Sequence, residues 1–211
     1  MAVRDALLAL LTAGPAYGFQ LHGGLAARTG GRRNINVGQT YATLERLSKQ
    51  RLVEPAGSTD DGLPLHRLTP AGSAAATAWL EGADSAGSDP WDETVDRVLI
   101  ARSLPDCDAD AVAAAERVRW RARRAEASGA ASVPASISDG SRGAGADAAE
   151  AALVRLAASA DLARADAALA WLDGVGDTER IAFPPRTARP KRGRRPGAPT
   201  AAAEAQASAI A

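Results

Sequence analysis

The sequence has a single cysteine, Cys107, and two histidines, His22 and His66. One thiol cannot build an intramolecular disulfide framework, and a reducing compartment is its natural setting. Two histidines and one cysteine are too few soft ligands for a zinc centre, so no metal is expected. Aromatic residues are also scarce, with four Trp, two Tyr and two Phe. No apolar run approaches the ~20 residues of a membrane-crossing helix, so no membrane association is expected. Arg4 and Asp5 interrupt the start, and the Ala6–Leu11 run is too short for a secretory signal. No glycine-rich loop lies between a strand and a helix to cradle a nucleotide, and no Gly-x-Ser-x-Gly elbow is present. Acids are plentiful between 83 and 180, but they read as helix-surface residues at no catalytic spacing. The chain is therefore not expected to be an enzyme, and no cofactor is expected.

The formal net charge is zero, which excludes a uniformly basic DNA-coating protein. The charge is nevertheless uneven. Residues 1–82 carry eight Lys or Arg against six Asp or Glu, a net +2. Residues 83–180 carry eleven against eighteen, a net −7, and residues 181–211 carry six against one, a net +5. Acid in the middle and base at the ends suits a dimerisation region between two segments that meet nucleic acid.

The stretch from Asn36 to Thr69, NVGQTYATLERLSKQRLVEPAGSTDDGLPLHRLT, carries the most information. Its first part has helical periodicity. At about 100° per residue, Val37, Tyr41, Leu44, Leu47 and Ser48 fall on one side. Gln39, Ala42, Thr43, Arg46, Lys49 and Gln50 fall on the other, with no acid among them. The first side packs Leu44 and Leu47 inward. The second offers groups that suit DNA: Gln pairs with adenine, Arg with guanine or phosphate, and Thr43 meets a thymine methyl or a phosphate. Taken alone, such a polar face is more often mere solvation.

The residues after this helix give that face a context. Leu52-Val53-Glu54-Pro55 is a short extended run, and Ser58-Thr59-Asp60-Asp61-Gly62 is turn chemistry with an Asp-Gly hairpin signal. Leu63, Leu65 and Leu68 return, with His66 and Arg67 projecting beside them. Pro55 marks an edge strand. Thr69 and Pro70 then open another helix as N-cap and first helical residue. Upstream, Arg4–Thr12 is an apolar helical run closed by Gly14-Pro15. Tyr17-Gly18-Phe19 opens a second helix with Phe19, Leu21 and Leu25 as core candidates, ended by Thr29-Gly30-Gly31. The order is helix, helix, helix, strand, turn, strand, helix. That is a winged helix-turn-helix domain of three helices plus a two-stranded wing, in a mainly α chain.

The residues LLALLTAGPAYGFQL, GQTYATLERLSKQRLVEP and HRLTPAG together resemble the N-terminal domain of the PadR family of bacterial transcriptional regulators. The matching positions are Tyr17-Gly18, Thr40-Tyr41, Leu44, Leu47, Leu52, Arg67-Leu68-Thr69 and Gly72. The resemblance covers residues 3–82 and departs from the family twice. Ala42 replaces a usual proline, and Leu63 and Leu65 stand where relatives carry basic or tyrosine side chains. The resemblance implies a DNA-binding regulator whose DNA-contacting set is Tyr17, Gln39, Thr40, Tyr41, Thr43, Arg46, Lys49, His66 and Arg67. Arg67 and His66 are the main contacts expected of the wing.

The second region begins after Gly82. Residues 83–90 read as a linker, and residues 91–180 as a helical dimerisation region with a flexible insertion at 128–145. A helix from Trp91 to Leu104 carries Trp91, Val95, Val98 and Leu99 on one side. A helix from Ala109 to Ala127 carries Val112, Val118 and Trp120. Its Arg117–Arg124 cluster reads as a solvated or inter-subunit helix end, since a spacing of two spreads the arginines around the helix. A helix from Ala146 to Asp173 carries Leu153, Leu156, Ala160, Ala163, Ala167 and Trp171 at helical spacing. Residues 181–211 form a basic tail, expected to be disordered, whose RTARPKRGRR run draws DNA phosphates or simply solubilises the chain.

By the resemblance, these helices embrace a second copy and place two reading helices on one side of an operator, roughly 34 Å apart. It also implies that a small aromatic or phenolic ligand releases DNA, with Trp91 at the hinge as the stacking residue; a tryptophan plugging a helix interface is the plainer alternative. The expected protein is a cytoplasmic, nucleoid-associated homodimeric repressor of its own or neighbouring genes. The alternative is a winged-helix protein-interaction adaptor that binds no specific DNA sequence.

Overall fold

The computed structural model describes residues 2–84, 87–132, 144–176, 178 and 181–183. Helix α1 (Ala2–Leu11), strand β1 (Ala16–Tyr17), helix α2 (Gly18–Arg28) and helix α3 (Val37–Lys49) come first. Strands β2 (Val53–Ser58) and β3 (Pro64–Leu68) and helix α4 (Pro70–Leu80) come next. Helices α5 (Pro90–Ser103), α6 (Ala109–Ala131) and α7 (Ala144–Val175) complete the described chain. This is a winged helix-turn-helix joined to a helical region, in a mostly helical chain.

The sheet has one more strand than the sequence reading expected. Its order is β1-β3-β2, all antiparallel, with Ala16 opposite His66 and Tyr17 opposite Leu65. Two residues are too short a run to show period-two patterning, so β1 left no signal. Strand β2 lies at the edge, which lets Pro55 sit opposite His66 without costing a ladder bond to a further strand. At the hairpin tip Gly62 takes φ +76°, and Thr59 N donates to Leu63 O at 2.9 Å.

The junction into α4 explains one motif. Thr69 Oγ accepts from Gly72 N at 3.0 Å, capping the helix, and donates to Arg51 O at 2.7 Å, with Leu52 O at 3.2 Å. The Leu52 carbonyl lies so near Gly72 that a Cβ there would sit 1.9 Å from its oxygen. Gly18 has a similar role, since a Cβ there would sit 2.5 Å from the Tyr41 ring.

One core joins α1, α2, α3, β2 and α4 through Leu7, Leu8, Leu25, Leu44, Leu47 and Trp79, and it takes in Ile100 and Leu104 from the end of α5. A second core joins α5, α6 and α7 through Val98, Ala101, Trp120, Ala165, Ala168 and Leu172. Helix α5 thus belongs to both cores. It is buried on every side, with Glu93–Val98 and Ile100–Ser103 all inaccessible.

Several expected faces are corrected. On α3 the inward stripe is Thr40, Thr43, Leu44 and Leu47, spaced i, i+3, i+4, i+7. Val37, Tyr41 and Ser48 lie on the neighbouring stripe and are exposed. Phe19 is 45% exposed because the inward stripe of α2 is Gly18, Leu21 and Leu25. Val118 of α6 is exposed. On α7 the inward face is Ala158, Ala165, Ala168 and Leu172; Leu153, Leu156, Ala160, Ala163 and Ala167 point outward, and Trp171 is half-buried. In an alanine-rich helix the largest side chains dominate a periodicity count, although the alanines make the close packing. Glu93 and Asp96, expected on a helix surface, are fully buried. Helix α6 runs on to Ala131 and α7 begins at Ala144, so only residues 133–143 of the expected insertion lie outside the described residues. The basic run 186–195 also lies outside them.

Candidate nucleic-acid interface

Helix α3 starts at a sequence-encoded cap. Asn36 Oδ1 accepts from Gln39 N at 2.7 Å, which fixes the first turn and leaves the Gln39 side chain exposed. Tyr41 is 47% exposed, and its ring rests against Gly18. Arg46 lies back along the helix: Nε donates to Ala42 O at 3.2 Å and Nη2 to Thr43 Oγ at 3.2 Å. It has no ion-pair partner among the described residues. Lys49 pairs with Glu45 at 2.7 Å, so the outer face is not free of acid as the sequence reading held.

The two threonines of the expected DNA-contacting set are buried. Thr43 Oγ donates to Gln39 O at 2.8 Å, and Thr40 Oγ lies 3.3 Å from His22 Nδ1. Their hydroxyls are satisfied inside, and Thr43 also holds the Arg46 guanidinium. Tyr17, in β1, is half-buried. On the wing, Arg67 faces Glu54 across the strands and donates to it at 2.8 Å. His66 is half-buried between Ala16 and Pro55, and its burial lowers the ring pKa below the usual 6.5. It is therefore neutral at pH 7. Arg51, outside the expected set, is an exposed cation at the α3–β2 junction with φ +57°.

Behind α3 lies a cleft of about 530 Å³, edged by Gln39, Thr43 and Arg46 and floored by Leu47 and Trp79. Trp91 packs edge-on against Trp171 at 5.3 Å and Trp120 at 6.1 Å. A second cleft, about 510 Å³, runs between α6 and α7, with Trp120, Ala127, Val154 and Ala158 in its walls; Trp91 does not line it.

The sequence reading missed a buried polar chain across α5. Trp79 Nε1 donates to Glu93 Oε2 at 2.6 Å, and Arg97 Nε donates to Trp79 O at 2.5 Å. Arg97 Nη1 also pairs with Glu116 of α6. Glu116 accepts from Thr94 Oγ at 2.7 Å, and Thr94 Oγ accepts from Trp120 Nε1 at 2.9 Å. The Arg117–Arg124 cluster, expected to be solvated or inter-subunit, is tied within the chain: Arg117 to Asp173 at 3.0 Å, Arg123 to Asp84 at 3.0 Å and Arg124 to Asp166 at 2.5 Å. Spread around the helix, these three arginines meet three different neighbours.

Residues 7–78 match the Transcriptional regulator PadR-like family. Over that stretch the chain is similar to this family. The matched family is one of transcription regulators. Among solved structures, Bacillus subtilis PadR in complex with operator DNA is 18% identical, with a TM-score of 0.36 over 82% of this chain and 94% of that one. The same bacterium's PadR in complex with p-coumaric acid is 19% identical, with a TM-score of 0.35 over 83% and 96%. No curated protein matches the chain. Among the described residues, no helix is long and apolar enough to cross a membrane, and no cluster of His, Cys, Asp or Glu could hold a metal ion.

Proposed function

We propose that this PadR-like regulator is a homodimeric repressor that binds a pseudo-palindromic operator near its own or a neighbouring gene. One observation carries the reading: the segment matched to a family of transcription regulators presents an exposed helix with Gln39, Arg46 and Lys49 beside a wing. Gln39 and Arg46 read base edges, Tyr41, Tyr17 and Lys49 position the backbone, and Arg67 adds charge at the wing. Thr40 and Thr43 act from inside, by setting the helix and holding Arg46.

A second copy would cover the outer face of α7, where Leu153 is 66% and Leu156 67% exposed. Repression would come from occlusion of polymerase, and release from a small aromatic ligand that changes the distance between the two reading helices. A ligand stacking on Trp91 would have to open the three-tryptophan cluster, so quenching by phenolic acids that persists in Trp91→Ala would remove Trp91 from the site.

The substitution Arg46→Ala tests the interface. It should weaken binding to a bound promoter fragment by about 1–3 kcal/mol in a salt-controlled gel shift, with an unchanged dimer by light scattering. Unchanged affinity would refute the assignment. The adaptor reading draws on the pairing of Lys49 with Glu45 and of Arg67 with Glu54, which offsets two of the cations on this surface.

A further inference from the structure

The eight residues between α2 and α3, Thr29–Asn36, are held at both ends. Thr29 Oγ donates to Leu25 O at 2.8 Å and accepts from Arg33 N at 3.1 Å, and Asn36 caps α3. In between, two side chains leave the winged helix and grip α5. Arg33 Nε donates to Asp96 Oδ2 at 2.5 Å, and its Nη2 lies 3.4 Å from Asp92 Oδ2. Arg32 Nη2 lies 2.8 Å from Asp92 Oδ1. Asp96 is fully buried, and its Oδ1 makes no hydrogen bond, so Arg33 is its main compensation. We propose that Arg33, assisted by Arg32, is a positioning residue for operator reading: it fixes α3 at a set place relative to α5, and so relative to the helices that would carry the second subunit.

The route is short and physical. Arg33 stands three residues before the cap of α3. Its partner Asp96 lies on α5 one residue before Arg97, whose guanidinium pairs with Glu116 of α6. Burial raises the Asp96 pKa against the pull of Arg33 and Arg32. Burial also works against the charge of Arg33, but its hydrogen bond to Asp96 and the nearby Asp92 and Glu93 outweigh this and raise its pKa. Losing the guanidinium would leave a buried carboxylate unpaired, so the contact between the α2–α3 turn and α5 would open. At the other end of α5, Arg28 donates to the Ser103 carbonyl and Ile100 lies in the N-terminal core, so the helix stays docked and only its position near α3 is freed.

The inference rests on the dimeric DNA-binding reading, so its test has an arm that needs no DNA. In the full chain with Cys107→Ser, spin labels at Gln50, the C-cap of α3, and Arg121 of α6 would be measured in spin-diluted samples. The expected result is one narrow distance distribution in the parent protein, a broadened or shifted one in Arg33→Ala, and near-restoration in Arg33→Lys. Asp96→Asn should mimic Arg33→Ala if that variant fails to fold. In the DNA arm, half-site spacing is changed by single base pairs in a fragment selected by the parent protein. The parent should prefer one spacing; Arg33→Ala should lose about tenfold in affinity at that spacing and much less at the others. An unchanged distance distribution, or an equal loss at every spacing, overturns the proposal. Failure of the parent protein to select any fragment would instead count against the DNA reading, leaving the distance arm to decide on Arg33.

Discussion

The winged-helix domain and the α5 junction are built by opposite means. The first is a leucine core: Leu7, Leu8, Leu25, Leu44 and Leu47 are almost fully buried, each contributing roughly 1.5–3 kcal/mol by leaving water. The second is an ionic core, in which Arg97, Glu93, Glu116 and Asp96 are as buried as any leucine. Burying charge contributes little net stability, but it demands a particular geometry. The leucine core holds α3 together, whereas the ionic junction fixes where that helix stands. In the proposed dimer, the second property would decide whether two subunits fit one operator.

The largest effect should come from breaking the junction. Arg97→Ala leaves buried Glu93 without a cation and Glu116 with Arg119 alone at 3.0 Å, and should cost about 3–5 kcal/mol in denaturant unfolding. A loss within experimental error would mean that the buried ions are incidental and that apolar contacts alone join the regions. Within the winged helix, Gly72→Ala forces the Leu52 carbonyl to move. It should cost about 1–3 kcal/mol, as overpacking does, and thermal denaturation should report it while the α6–α7 contacts stay intact. The smallest effect belongs to the wing. Burial lowers the His66 pKa, so the folded state prefers the neutral ring. That preference stabilises the protein above the ordinary histidine range and is lost as pH falls through 6.5 toward the lowered folded value. His66→Gln should flatten this slope, and an NMR titration of His66 at or above 6.5 would contradict the assigned burial.

The same contrast explains what the sequence disclosed. Leu44 and Leu47 announce a helix face, Asp61-Gly62 announces a turn, and Thr69-Pro70 announces a helix start, because each acts locally. The threonine stripe of α3 was harder to read. Thr40 and Thr43 look polar on paper and are buried because His22 and the Gln39 carbonyl satisfy their hydroxyls. The junction was hardest of all. Glu93, Asp96 and Arg97 have the pattern of a solvated helix surface, and only their partners on the α2–α3 turn, α4 and α6 show them to be interior. On α7 the exposed leucines and buried alanines inverted the expected face, which is what a helix shared between its own chain and a partner would do.

The central claim is that the outer face of α3 reads DNA. Selection of genomic fragments by the purified full-length protein tests it most directly. At moderate salt, one or a few promoter fragments with two similarly spaced half-sites should be enriched, and Arg46→Ala should reduce the enrichment. If no fragment is enriched even at low salt, the chain is not a sequence-specific regulator and the adaptor reading takes its place.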